Sequence, residues 1–203
     1  MARKRVAILI SGRGSNMAAL IAAARAPDYP AEIVLVVSNR PDAPGLARAA
    51  EAGITTEVVD SNAFADRSAF EDALHARLTG DRVDIVCLAG FMRLLSADFV
   101  GRWRDRLINI HPSLLPAFPG LDTHARAIAA GAKVHGCTVH YVREGLDDGP
   151  IIARAEVPVL PGDTSGALAA RVLIEEHRLY PEALALVASG RVQVIGAQVV
   201  DRP

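Results

Sequence analysis

The chain has 203 residues, 51% of them hydrophobic and 22% charged, enough to bury a sizeable core within one domain. A formal net charge of −1 offers nothing to a polyanion, and aromatics at 4% are too few for a base-stacking platform, so no nucleic-acid partner is expected. No apolar run reaches membrane-spanning length, and the short run at 6–10 is interrupted at Ser11-Gly12, so neither a membrane anchor nor a signal peptide is expected and a cytoplasmic protein is.

The first predicted strand, 6–10, runs into Ser11-Gly12-Arg13-Gly14-Ser15-Asn16 and then a predicted helix, 16–25. Glycines let backbone N–H groups approach an anion, and a helix N-terminus favours negative charge. Met17 stands where a dinucleotide fingerprint has its third glycine, and no Gly-Lys-Ser/Thr is present. A single phosphate monoester fits this loop better than a dinucleotide or a nucleoside triphosphate. A plain tight turn is the alternative, and Arg13 is expected to face solvent.

Runs at 33–37, 57–59 and 84–89 are rich in β-branched residues without strict alternation, as strands covered on both faces are. Segments 45–52 and 67–78 read as helices, with Gly53 and Gly80 at expected stops. The order βαβαβαβ implies an α/β fold with a doubly wound, parallel sheet and right-handed crossovers. Cys87, inside Val-Cys-Leu, is expected to be a small buried hydrophobe; it and Cys137 show no CxxC spacing.

At 108–116 the chain reads Ile-Asn-Ile-His-Pro-Ser-Leu-Leu-Pro. Asn109 and His111 are two apart, so on extended backbone they point the same way. Pro112 restricts the His111 backbone. Asn can donate to an oxygen that becomes negative, and His moves protons near neutral pH. A reaction site and a satisfied strand-end turn are both consistent with that pair.

Beyond Pro116 the pattern changes. Segments 136–142 and 150–159 read as longer strands, antiparallel and joined through 143–149. That connection holds Asp147 and Asp148; either one could approach His111, although composition alone favours a solvated acidic turn. His124, His135 and His140 match no zinc spacing, and no metal is expected. His140 either enters the site or fills a strand face, while His75 and His177 are expected at the surface. Residues 165–188 predict a long helix that Pro181 should kink or split. Residues 192–200 read as a last strand or a loose tail.

Together, residues 8–16, Val37-Ser38-Asn39-Arg40, Leu88-Ala89-Gly90-Phe91-Met92-Arg93-Leu94-Leu95, residues 108–120 and Leu146-Asp147-Asp148-Gly149-Pro150 resemble the phosphoribosylglycinamide formyltransferase family. The resemblance runs from residue 5 to about 191. The Asn-x-His-Pro-Ser-Leu-Leu-Pro block is common to a wider group using 10-formyltetrahydrofolate; the glycine loop and Pro119-Gly120-Leu121-Asp122-Thr123-His124 narrow it. It implies a Rossmann-like formyltransferase fold with an antiparallel C-terminal extension. Residues 1–203 would be a single domain, 1–100 its phosphate-binding half and 101–203 its catalytic and folate-binding half.

The implied reaction moves a formyl group from the co-substrate 10-formyltetrahydrofolate to the amine of 5-phosphoribosylglycinamide, in purine biosynthesis. It implies small-molecule substrates, no metal, and a monomer or homodimer. By position, Gly14, Ser15 and Asn16 match the phosphate loop. Asn109 matches the oxyanion donor, which also borders the folate, and His111 matches the general acid/base. Asp147 matches the supporting carboxylate; an offset of one would put Asp148 there. Met92, Arg93, Leu94 and Leu95 match the folate-lining segment and Arg67 a basic residue near the folate tail. Glu176 matches a carboxylate for the substrate's ribose or amine side, while Leu173 stands where some relatives carry a polar residue.

Competing expectations are fewer. A methionyl-tRNA formyltransferase should add a basic C-terminal domain, and a formyltetrahydrofolate hydrolase an N-terminal regulatory one. A nucleotide-binding module without turnover leaves the joint presence of Asn109, His111 and Asp147 unexplained. A nicotinamide-dependent oxidoreductase lacks its third glycine.

Overall fold

The structure is a computed structural model that describes residues 2–202. Five parallel strands lead the chain: β1 (Lys4–Ile10), β2 (Ala31–Ser38), β3 (Thr55–Val58), β4 (Ile85–Leu88) and β5 (Leu107–His111). Helices α1 (Ser15–Ala24), α2 (Gly45–Glu51), α3 (Arg67–Gly80) and α4 (Ala97–Arg102) connect them. Helix α5 (Thr123–Ala129) precedes the antiparallel strands β6 (Val134–Tyr141) and β7 (Ile151–Pro158). Helix α6 (Ser165–Ala188) and a hairpin of β8 (Val192–Ile195) and β9 (Gln198–Asp201) end the chain.

The seven strands order as β3-β2-β1-β4-β5-β6-β7. Strand β1 alternates cleanly between two cores. Val6, Ile8 and Ile10 pack under α1 and α6 with Met17, Leu20, Leu168 and Val172; Ala7 and Leu9 pack under α3 and α4 with Phe70, Leu74, Phe99 and Trp103. Burial on both faces explains why the first strands are near-continuous apolar runs. The chain leaves β1 toward β2 on one side and returns to β4 on the other. That reversal opens a crevice beyond the carboxyl ends of β1 and β4, where ligands bind in such sheets.

Most predicted elements are present, with four differences. Pro181 lies inside α6, which is one helix of 24 residues and is not split. Leu179, Tyr180, Ala183 and Leu184 are buried around it, and that packing carries the helix across the missing N–H. The tail forms a hairpin that turns at Gly196, φ +62°. Gly80 is the last residue of α3 rather than its stop; Arg82 takes the left-handed conformation at φ 53°. His75 is half-buried, its ring edge-on to Trp103 at 5.9 Å, and His177 is half-buried too, not at the surface.

Candidate active site

The site begins with strand register. Leu9 pairs with Leu88, Leu88 with Asn109, and Asn109 with His140 across the antiparallel step to β6. Directly opposed residues share a face, so Asn109 and His140 meet: Asn109 Nδ2 is 3.3 Å from His140 Nε2. His140 Nδ1 lies 3.0 Å from the Tyr141 carbonyl, which can only accept, so that nitrogen carries the proton. The neutral ring then accepts from Asn109 through Nε2. Burial holds the His140 pKa below the usual histidine value, against opposing pulls from Tyr141 and Asp147. One N–H of the Asn109 amide is thereby fixed and its second is left to donate.

His111 sits at the end of β5, 5% exposed. Its Nε2 is 3.0 Å from the Phe118 carbonyl and donates to it. Its Nδ1 is 3.3 Å from Asp147 Oδ2. The same Oδ2 accepts from the Gly120 N–H at 2.8 Å, and Asp147 Oδ1 is 3.9 Å from His140 Nε2. Asp147 is therefore the carboxylate that meets His111; it is not in a solvated acidic turn, and Asp148 is exposed. Two backbone features bring it there. Asp147 takes φ 52°, a left-handed conformation that Asp tolerates better than most residues. Gly149 crosses so close to β6 that an added Cβ would lie 1.5 Å from the Tyr141 oxygen.

The segment after His111 is folded back as a clamp. Ser113 Oγ donates to the Ala117 carbonyl at 2.6 Å and Thr123 Oγ1 to the Pro112 carbonyl at 2.7 Å. Phe118 and Asp122 both take positive φ, 54° and 55°. Beneath the clamp, His124 Nδ1 and His135 Nε2 are 3.2 Å apart. Desolvation depresses both pKa values, that of His135 to about 4. No group of three or more metal-ligating side chains occurs among the described residues.

The glycine loop lies across the crevice. Gly14 caps α1 in the left-handed conformation, φ 69°, with no side-chain hydrogen bond to the first turn. That leaves first-turn N–H groups directed outward, the arrangement an anion needs. Ser15 is half-buried at the helix start, and Arg13 is exposed. Asn16 Nδ2 donates to Glu176 Oε2 at 2.6 Å, tying α1 to α6. Burial raises the Glu176 carboxyl pKa, partly offset by that bond. Asn16 Oδ1 is buried without a partner among the described residues. In the loop after β4, Met92 and Leu94 project at 69% exposure each, with Leu95 half-buried against the core. Arg93 lies over the Phe70 ring and bonds Ser61 Oγ at 3.1 Å. Arg67 is exposed at the start of α3, 4.0 Å from Glu71.

Asn109, His111 and Asp147 thus converge, and Asn16 joins Glu176. Three participants escaped the sequence reading: the Phe118 carbonyl, the Gly120 N–H and the partnership of His140 with Asn109. Two are backbone groups, invisible to side-chain patterns, and the third depends on register across β5 and β6.

Comparison with known proteins places the chain in a family. The chain matches the formyl transferase family over residues 4–184. The trifunctional purine biosynthetic protein adenosine-3 of Drosophila pseudoobscura pseudoobscura is 52% identical over 203 residues, 99% of this chain but 15% of that protein. The chain is similar to the phosphoribosylglycinamide formyltransferase of Escherichia coli (strain K12), 44% identical over 93% of this chain and 89% of that one. A solved phosphoribosylglycinamide formyltransferase from Brucella melitensis is 58% identical, covers 96% of this chain and 100% of its own, and superposes with a TM-score of 0.89. The chain belongs to the formyl transferase family.

Proposed function

We propose that this protein transfers the formyl group of 10-formyltetrahydrofolate to the amine of 5-phosphoribosylglycinamide. The observation that carries the proposal is the convergence of an amide donor, an imidazole and a carboxylate: Asn109 on His140, and His111 Nδ1 on Asp147 at 3.3 Å. Its supports are the family match and relatives named for this activity.

The chemistry follows from which atoms are free. The substrate amine attacks the formyl carbon, and the C=O electrons move onto oxygen. The unspent Asn109 N–H donates to that oxyanion; one such donor is typically worth about 10²–10³ in rate. His111 Nε2 is committed to Phe118, so Nδ1 is the nitrogen that handles protons. It takes the proton released by the attacking amine and delivers one to N10 of the folate as the C–N10 bond breaks. Formylated amide and tetrahydrofolate leave, and His111 returns to its starting state. Asp147 stabilises the imidazolium between these events, and general acid/base help of this kind contributes about 10²–10⁴. Holding both reactants in line adds the rest.

Gly14, Ser15 and Asn16 bind the phosphate, and Glu176 with Asn16 takes the ribose or amine side. Met92, Arg93, Leu94 and Leu95 line the folate, with Arg67 toward its tail. The test is incubation of the purified protein with both substrates. Tetrahydrofolate should form stoichiometrically with formylated acceptor, and a chelator should leave the rate unchanged. Formate release that does not depend on the acceptor amine would mean hydrolysis and would overturn the proposal.

A further inference from the structure

The segment Val37-Ser38-Asn39-Arg40 has no part in the chemistry above, yet Ser38 and Asn39 are 0% and 5% exposed. Asn39 follows β2 directly, as Ser11 follows β1. Ser11 Oγ donates to Asn39 Oδ1 at 2.5 Å and accepts the Met92 N–H at 2.8 Å. The Ser11 N–H donates to the Gly90 carbonyl at 3.2 Å, and the Ser61 N–H to the Asn39 carbonyl at 3.3 Å. Arg93 Nη1 donates to Ser61 Oγ at 3.1 Å. Through the Met92–Arg93 peptide these bonds close a ring across the carboxyl ends of β1, β2, β3 and β4.

We propose that Ser11 and Asn39 are a positioning pair that sets the glycine loop and the 92–95 segment in register with each other, and so aligns the two substrates. The strands themselves are already paired by their backbone ladders, which run out in the bonds from the Ala89 N–H to Leu9, the Ser11 N–H to Gly90 and the Asn39 N–H to Ile10. Past Gly90, the hydrogen bond that joins the glycine loop to the 92–95 segment among the described residues is the one on the Ser11 hydroxyl. Met92 has little packing of its own, since its side chain is 69% exposed. Its N–H on the Ser11 hydroxyl is a direct bond between the two segments. A hydroxyl at position 11 supplies both the acceptor for Met92 and the donor for Asn39, so a single atom holds three loops. The inference rests on the substrate assignments above: phosphate at Gly14–Asn16, folate along Met92–Leu95.

A misalignment on the order of 1 Å costs about 10²-fold in rate while each ligand still binds. Ser11→Ala should therefore lower kcat at least about tenfold, with the separately measured Kd of phosphoribosylglycinamide and of a folate each within about threefold of wild type. Asn39→Ala should do the same, and the double variant should be no worse than either single one, because the pair acts as one unit. Ser11→Cys, which keeps a weak donor and acceptor at that position, should recover part of the loss and covers the case in which Ser11→Ala does not fold. A kcat within threefold of wild type in both single variants would overturn the proposal. So would additive losses, or weakened Kd values at unchanged kcat. Gly14→Asp separates this from the underlying assignment: if it leaves phosphoribosylglycinamide binding intact, the phosphate assignment fails whatever Ser11 does.

Discussion

At the scale of single residues the decisive detail is what each nitrogen of His111 faces. A backbone carbonyl, from Phe118, holds Nε2, and a carboxylate, from Asp147, faces Nδ1. A ring pinned this way has one tautomer when neutral and two satisfied donors when charged. His111→Ala should lower kcat by about 10²–10⁴ and leave folate affinity within a few-fold, measured by titration of a folate against each protein. Unchanged turnover would remove His111 from the chemistry. Asp147 meets His111 and its neighbour Asp148 does not, although the two carry the same side chain. Composition alone made that loop a solvated turn, and only the resemblance selected Asp147; the contact itself depends on a left-handed backbone at φ 52° that residue types do not reveal.

At the scale of elements, α1 carries the clearest consequence. Its N-cap is Gly14, without a side chain to satisfy the first turn, and the positive end of its dipole opens on the crevice. Ser15→Asp would fill that end with fixed negative charge. It should weaken the phosphorylated substrate at least about tenfold more than the folate, read from the two Kd values. Equal weakening of both would argue against a phosphate at this helix. In the long helix and the tail, packing overrides local preference. Pro181 predicted a break, yet buried neighbours on both sides keep α6 continuous; the tail's short strands needed a partner, and β8 and β9 supply one another.

For the whole molecule, the buried and half-buried histidines link fold to pH. His124, His135, His140 and His177 all have pKa values depressed by burial. The unfolded chain takes up these protons near pH 6.5, but folded His135 resists until about pH 4. Across that window the unfolded state binds more protons, so stability falls as pH falls and is flat above it. Glu176, whose pKa burial raises, acts in the opposite sense, and one carboxyl against four imidazoles does not reverse the trend. The urea midpoint should drop steadily from pH 7 to pH 4, and His135→Gln should flatten that slope. A midpoint that does not move between those pH values would contradict neutral burial of these rings.

Local order was written in the chain: β-branched runs, helix periodicity, the glycine turn after β1, and the Asn109/His111 spacing that alternation aims to one side. Those features depend on neighbours within a few residues, and short-range sterics and burial period decide them. Three things came only with the tertiary structure: His140 beside Asn109, the Phe118 and Gly120 backbone groups around His111, and the ring through Ser11 and Asn39. Each joins groups far apart in sequence, or backbone atoms that every residue carries, and so is set by strand register and loop closure rather than by residue type.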